Sequence, residues 1–187
     1  MGFIYVSRET IAGLVAYEDL LKKWQKTINL VSGSTLDEVW ERHFLDSAAL
    51  LRYIPKNAKS VYDIGSGAGF PGMVLSIADP DRKYTLIESD QRKCSFLRNV
   101  SRETMADITI INKRIEELGL PAPDVITARA LSSLKGLMNL IAPIYDKSHT
   151  PIRIDGITSD ITVRKDAEEK IIKQKMLFEA VANASNM

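Results

Sequence analysis

The chain has 187 residues, 45% hydrophobic and 26% charged, which fits one soluble domain with a full core and leaves room for an appendage. Its 25 basic and 24 acidic side chains leave a net charge of +1, so any attraction to a polyanion must come from a local patch. The single cysteine, Cys94, excludes an internal disulfide and any multi-cysteine metal site.

In chain order, residues 1–55 read as helical. Ser7 is placed to cap a helix whose apolar positions Ile11, Leu14, Leu21, Trp24 and Ile28 form a stripe of 3.6-residue period. Ser34 and Asp37 resemble a second cap, leading into Leu36, Val39, Trp40, Phe44, Ala48 and Leu51. Arg42, His43 and Asp46 sit on adjacent turns of that segment. They suit either the rim of a site or a local ion pair.

Residues 56–145 alternate in type. Strands are expected at 60–64, 84–88, 108–112 and 124–130, and helices after Pro71, at 91–103 and at 132–144. That alternation calls for a parallel sheet covered on both faces. Cys94 reads as packing within the helix at 91–103. Residues 146–187 differ: a polar linker, an Ile152/Ile154 alternation, then a charged helix from Asp166. No signal peptide opens the chain and no apolar run approaches about 18 residues, so the expected compartment is the cytoplasm, with no membrane partner.

The most informative stretch is Val61-Tyr-Asp-Ile-Gly-Ser-Gly-Ala-Gly-Phe-Pro-Gly72. A strand ends in Asp63 and breaks into a loop with glycine at 65, 67, 69 and 72, where backbone N–H groups can approach a ligand at the start of a helix. Glu88 closes the next apolar run, placing a carboxylate where ribose hydroxyls bind in a βαβ unit. The plain alternative is a glycine-rich turn without a ligand. Gly67-x-Gly69-x-x-Gly72 also fits a dinucleotide fingerprint. A carboxylate at Asp63 would repel a diphosphate and suit a cationic sulfonium, which favours S-adenosylmethionine.

Five motifs occur in order: Lys23-Trp-Gln-Lys-Thr-Ile-Asn-Leu-Val-Ser32, Arg42-His-Phe-Leu-Asp-Ser47, the Asp63–Gly72 loop, Arg114-Ile-Glu-Glu117 and Ala128-Arg-Ala-Leu-Ser-Ser-Leu134. Over about residues 8–145 the chain resembles the RsmG (GidB) family, bacterial methyltransferases of guanine N7 in 16S ribosomal RNA. The resemblance implies an α/β, Rossmann-like class I methyltransferase fold with an N-terminal helical extension. It implies S-adenosyl-L-methionine as cofactor, held by Gly65, Phe70, Ile115, Glu116 and Arg129, with Glu88 on the ribose. Asp63 and Gly67 complete the expected cofactor set. Arg129 is placed for either the cofactor or the target base, with a plain ion pair as the alternative. The implied partner is 16S rRNA or the small ribosomal subunit, without a metal.

Guanine N7 carries a lone pair and no proton at neutral pH, so its methylation needs no general base and no acid–base residue is named. No Asn-Pro-Pro-Tyr-like element follows the fourth strand. Lys22, Lys23, Lys26 and Arg92, Lys93, Arg98, Arg102 are either solvated faces or phosphate contacts. The tail at 146–187 resembles the closing strand and exit helix of a PAS domain in place of the strands that finish the family's sheet. On that reading the sheet is truncated at its C-terminal side and activity is impaired. The competing function is a non-catalytic adenosyl-binding or PAS-linked signalling fragment.

Overall fold

The structure, a computed structural model, describes residues 6–129. Helix α1 (Arg8–Gln25) starts where Ser7 Oγ accepts the Thr10 N–H at 3.1 Å. This satisfies a donor that the first helical turn would otherwise leave unpaired. Ser7→Ala is expected to lower stability by about 1 kcal/mol, read as an earlier urea midpoint with an unchanged slope. Ile11, Leu14, Tyr17 and Leu21 form the buried face of α1.

The second expected helix is broken. A 3-10 turn at Gly33–Thr35 precedes a π-helical turn at Trp40–Leu45, a short α2 (Asp46–Ala48) and a 3-10 turn at Ala49–Tyr53. Ser34 bonds the Ser32 hydroxyl at 2.9 Å and caps nothing. Trp40, His43, Phe44 and Leu45 are all buried, four residues of six, which is wider than a regular amphipathic stripe allows. The wider π-helical turn accommodates that demand.

Four parallel strands follow: β1 (Ser60–Ile64), β2 (Lys83–Ile87), β3 (Ile108–Ile111) and β4 (Val125–Ala128), in the spatial order β3-β2-β1-β4. Between them run α3 (Gly72–Ala78) and α4 (Gln91–Thr104). Each strand lies within two residues of its expected bounds. The direction of winding reverses between β1 and β4, and such a switch point opens a crevice at the carboxyl ends of the strands. Alternation along β1 sends Val61 into a large core shared with α1, α3 and α4, while Tyr62 and Ile64 pack with Ile87 and Ile115 on the other face. The expected helix at 132–144 and the expected truncation and tail strand lie outside the described residues. Among the described residues, no helix is long and apolar enough to cross a membrane.

Candidate functional site

The loop after β1, Glu88 after β2, Ile115 after β3 and Arg129 after β4 all stand at the carboxyl ends of their strands. Thus the chain order of the motifs becomes a ring around one crevice.

Within the loop the glycines divide their work. A Cβ on Gly72 would lie 2.6 Å from Asp63 Cβ, and one on Gly69 would lie 2.5 Å from the Tyr17 hydroxyl, so both are required by internal packing. Gly67, at φ +56°, has only the Gly65 carbonyl within 4 Å of its missing Cβ, and so keeps an open side toward the crevice. The loop's donors are less available than its composition implies. Gly65 and Ser66 donate their N–H groups to the Ile87 carbonyl, Gly69 and Phe70 to the Ser66 carbonyl, Gly72 to Asp63 and Gly67 to Glu88. A ligand meets the shape of this loop rather than a row of waiting donors.

Asp63 is a brace. It is 1% exposed; Oδ2 accepts the Gly72 N–H at 3.2 Å and Oδ1 accepts the Thr127 hydroxyl at 2.8 Å, tying α3 and β4 to β1. Burial pushes its pKa up to about 6, against the pull of those hydrogen bonds. An open counter-charge for a sulfonium, the role that favoured S-adenosylmethionine from sequence, is not what this geometry offers, because the carboxyl is enclosed.

Glu88 is the acid that faces the loop mouth. Its Oε2 accepts the Gly67 N–H and its Oε1 the Asp90 N–H, each at 2.8 Å. Its backbone is fixed on both sides, since its N–H donates to Ile111 O at 3.0 Å and its carbonyl accepts Asn112 Nδ2 at 3.0 Å. Cys94 Sγ lies 3.3 Å from the same carbonyl in the packed interior, and burial raises its thiol pKa, as the packing role expected of it requires. Ile115 is buried against Tyr62, Ile64 and Ile87, whereas Glu116, in the turn at Ile115–Glu117, is exposed.

Phe70 turns its ring away from the loop backbone into an aromatic cluster. It stacks on Tyr17 at 5.5 Å and on His43 at 4.7 Å, with Phe44 at 5.9 Å. The Arg129 guanidinium carbon is 5.8 Å from the Phe70 centroid, and its Nη2 donates to the Arg42 carbonyl at 3.1 Å. Burial lowers the Arg129 pKa, with Asp46 opposing. Arg42 itself pairs with Glu38 at 3.9 Å, one turn back. The segment that carries Arg42, His43 and Asp46 is therefore part of the site's wall.

Tyr17 is the residue that sequence reasoning missed. It is fully buried and donates its hydroxyl to the Ala68 carbonyl in the middle of the glycine loop. Its position between Leu14 and Leu21 on the α1 stripe was the available signal. The basic residues are mixed with acids: Lys22 pairs with Glu18 at 2.8 Å, Arg92 with Asp90 at 3.6 Å and Arg102 with Glu103 at 3.6 Å. Among the described residues, no group of three or more His, Cys, Asp or Glu side chains is placed to hold a metal ion.

The family model described as "GidB: rRNA small subunit methyltransferase G" matches residues 10–186. The chain belongs to the GidB family. A ribosomal RNA small subunit methyltransferase G of Parvibaculum lavamentivorans is 44% identical over 169 residues, covering 87% of the chain and 75% of that relative. One from Rhodospirillum centenum is 52% identical over 137 residues, covering 73% of the chain but only 63% of the relative. A solved structure, precorrin-6y C5,15-methyltransferase from Geobacter metallireducens, aligns with a TM-score of 0.47 at 15% identity, over 79% of the chain and 73% of that protein. The GidB match crosses residues 146–186, so the PAS likeness of the tail gains no support from these comparisons.

Proposed function

We propose that this GidB-family chain transfers the methyl group of S-adenosyl-L-methionine to guanine N7 in 16S rRNA, with the small ribosomal subunit as its partner. The observation that carries the reading is Glu88. A carboxylate at the end of β2, bonded to the backbone of Gly67 and placed beside the switch-point crevice, is where vicinal hydroxyls of an adenosyl ribose are gripped. The site fits that cofactor: Gly67 leaves room where a Cβ would stand. The cofactor set is Gly65, Gly67, Phe70, Glu88, Ile115, Glu116 and Arg129, with Asp63 bracing the loop from below. When bound, S-adenosylmethionine supplies an electrophilic methyl group on sulfur. The chain's own residues then bind, orient and exclude water, because the N7 lone pair attacks without losing a proton. Exposed Lys23, Lys26 and Arg98 are free to meet phosphates around the target, which makes binding salt-dependent.

Small subunits purified from cells lacking the chain should accept label from S-adenosylmethionine, and mass spectrometry should place a 7-methylguanosine in 16S RNA. Label in protein or in no RNA would reject this assignment.

A further inference from the structure

Glycine at 65, 67 and 69 gives the loop after β1 three left-handed positions, at φ +66°, +56° and +97°. Without side chains there, sterics alone do not hold the intervening peptides in one orientation. Hydrogen bonds must do so, and most come from the same βαβ unit: the Ile87 and Ser66 carbonyls, Asp63 and Glu88. Among the described residues, one comes from elsewhere. The Tyr17 hydroxyl, on α1 and 51 residues earlier in the chain, donates to the Ala68 carbonyl.

The peptide between Ala68 and Gly69 is thus held at both ends, its carbonyl by Tyr17 and its N–H by the Ser66 carbonyl at 2.6 Å. Because the unit is planar, neither end can turn without breaking the other bond. One residue earlier, Glu88 Oε2 holds the Gly67 N–H at 2.8 Å. The stretch with the open glycine is therefore set twice, by Glu88 after β2 and by Tyr17 on α1. Tyr17 has no freedom of its own. It is fully buried, its ring lies 5.2 Å from Phe44 and 5.5 Å from Phe70, and a Cβ on Gly69 would meet its hydroxyl at 2.5 Å. Phe70 is fixed in turn by His43, whose Nε2 lies 2.9 Å from Thr35 Oγ1. Burial, with Asp63 adding to it, raises the phenol pKa well above its usual value, so the hydroxyl keeps the proton it donates.

We propose that Tyr17 is a positioning residue for the cofactor: its hydroxyl presets the Gly67–Gly69 backbone, so that the loop meets S-adenosylmethionine already in its binding shape; the proposal rests on the cofactor set named above. The ring supplies packing, and the hydroxyl supplies the orientation of the loop. A loop ordered beforehand spares the cofactor the cost of ordering it. Helix α1 thereby belongs to the cofactor site without touching the ligand.

The test separates hydroxyl from ring in the full-length chain. Tyr17→Phe keeps the ring contacts and leaves the Ala68 carbonyl without its donor. Affinity for S-adenosylhomocysteine in calorimetry should fall by about tenfold. KM for S-adenosylmethionine on small subunits should rise by about the same factor, with kcat within about threefold. Leu21→Val, four residues along the same buried face of α1, loosens the helix and spares the hydroxyl, so affinity should stay within about twofold. A merely structural role would lower the melting temperature of both variants and leave affinity alone. Undiminished affinity in a folded Tyr17→Phe chain, or an equal loss in Leu21→Val, would overturn the proposal. Should Tyr17→Phe fail to fold, hydrogen exchange of the unaltered chain decides. Amides of residues 65–70 that are protected before any cofactor is added uphold the preset loop, and amides that exchange freely until S-adenosylhomocysteine arrives overturn it. An unaltered chain that binds no S-adenosylhomocysteine rejects the cofactor set, and the positioning role with it. A chain that binds it but methylates no subunit rejects the substrate assignment, and the affinity comparison still decides the role of Tyr17.

Discussion

Glu88→Ala should weaken S-adenosylhomocysteine binding by about a hundredfold in calorimetry. Two hydrogen bonds from ribose hydroxyls to a carboxylate contribute roughly 3 kcal/mol together, taken at the low end for charged acceptors. The same side chain also holds the Gly67 and Asp90 N–H groups at 2.8 Å, and so joins the glycine loop to the start of α4. Alanine therefore leaves two partly buried donors to find water, and a lower melting temperature should accompany the lost affinity. Glu88→Gln separates the effects. It keeps the shape and one acceptor oxygen but offers an amide group where the second acceptor stood. Binding should fall by about tenfold, with a smaller drop in melting temperature than alanine gives, because one of the two N–H groups keeps its acceptor. An alanine variant that binds within about threefold of the unaltered chain would remove Glu88 from the cofactor site.

The strands and the glycine loop were legible because their signals are local. Short apolar runs, bounded by glycine and ending in Asp63 or Glu88, fix both strand and turn within a few residues. That the strands run parallel also followed from the alternation of strand and helix, whereas their order β3-β2-β1-β4 did not. What the loop's donors do was not legible. Six glycine-loop N–H groups look available in a string of letters, yet their partners are the Ile87 and Ser66 carbonyls, Asp63 and Glu88, of which Ile87 ends β2 and Glu88 follows it. Asp63 misled for a related reason. Its place at a strand end signals a functional carboxylate, but pleat alternation turns it under Gly72, where burial makes it a brace. The segment after Ser34 was misread because a regular helical period buries one stripe, whereas Trp40, His43 and Phe44 must all reach the aromatic cluster around Phe70. That demand is tertiary, and it overrides the period.

Asp63 and His43, both buried beside the loop, should give stability opposite pH slopes. Asp63 has its pKa raised, so the folded chain takes up its proton more readily than the unfolded chain does. Its ionisation opposes folding: the cost is absent below about pH 4, grows as pH rises, and saturates above pH 6. His43 has its pKa lowered from 6.5 to about 4, so the folded chain resists its protonation. Its contribution is fully present above about pH 6.5 and is lost as pH falls toward 4. Each group changes stability by roughly 1–2 kcal/mol between pH 7 and pH 5, and in opposite directions, so they largely offset one another in the unaltered chain. Single substitutions should expose each slope. Asp63→Asn should make the chain lose stability on acidification from pH 7 to pH 5, because only His43 then titrates. His43→Asn should make it gain stability over the same interval, because only Asp63 then does. Urea unfolding at the two pH values measures both, with the slope of each transition checked for constancy. If both variants keep the pH dependence of the unaltered chain, these groups are not the ones that couple protons to folding, and Thr127, Gly72 and Thr35 hold them less tightly than the hydrogen bonds imply.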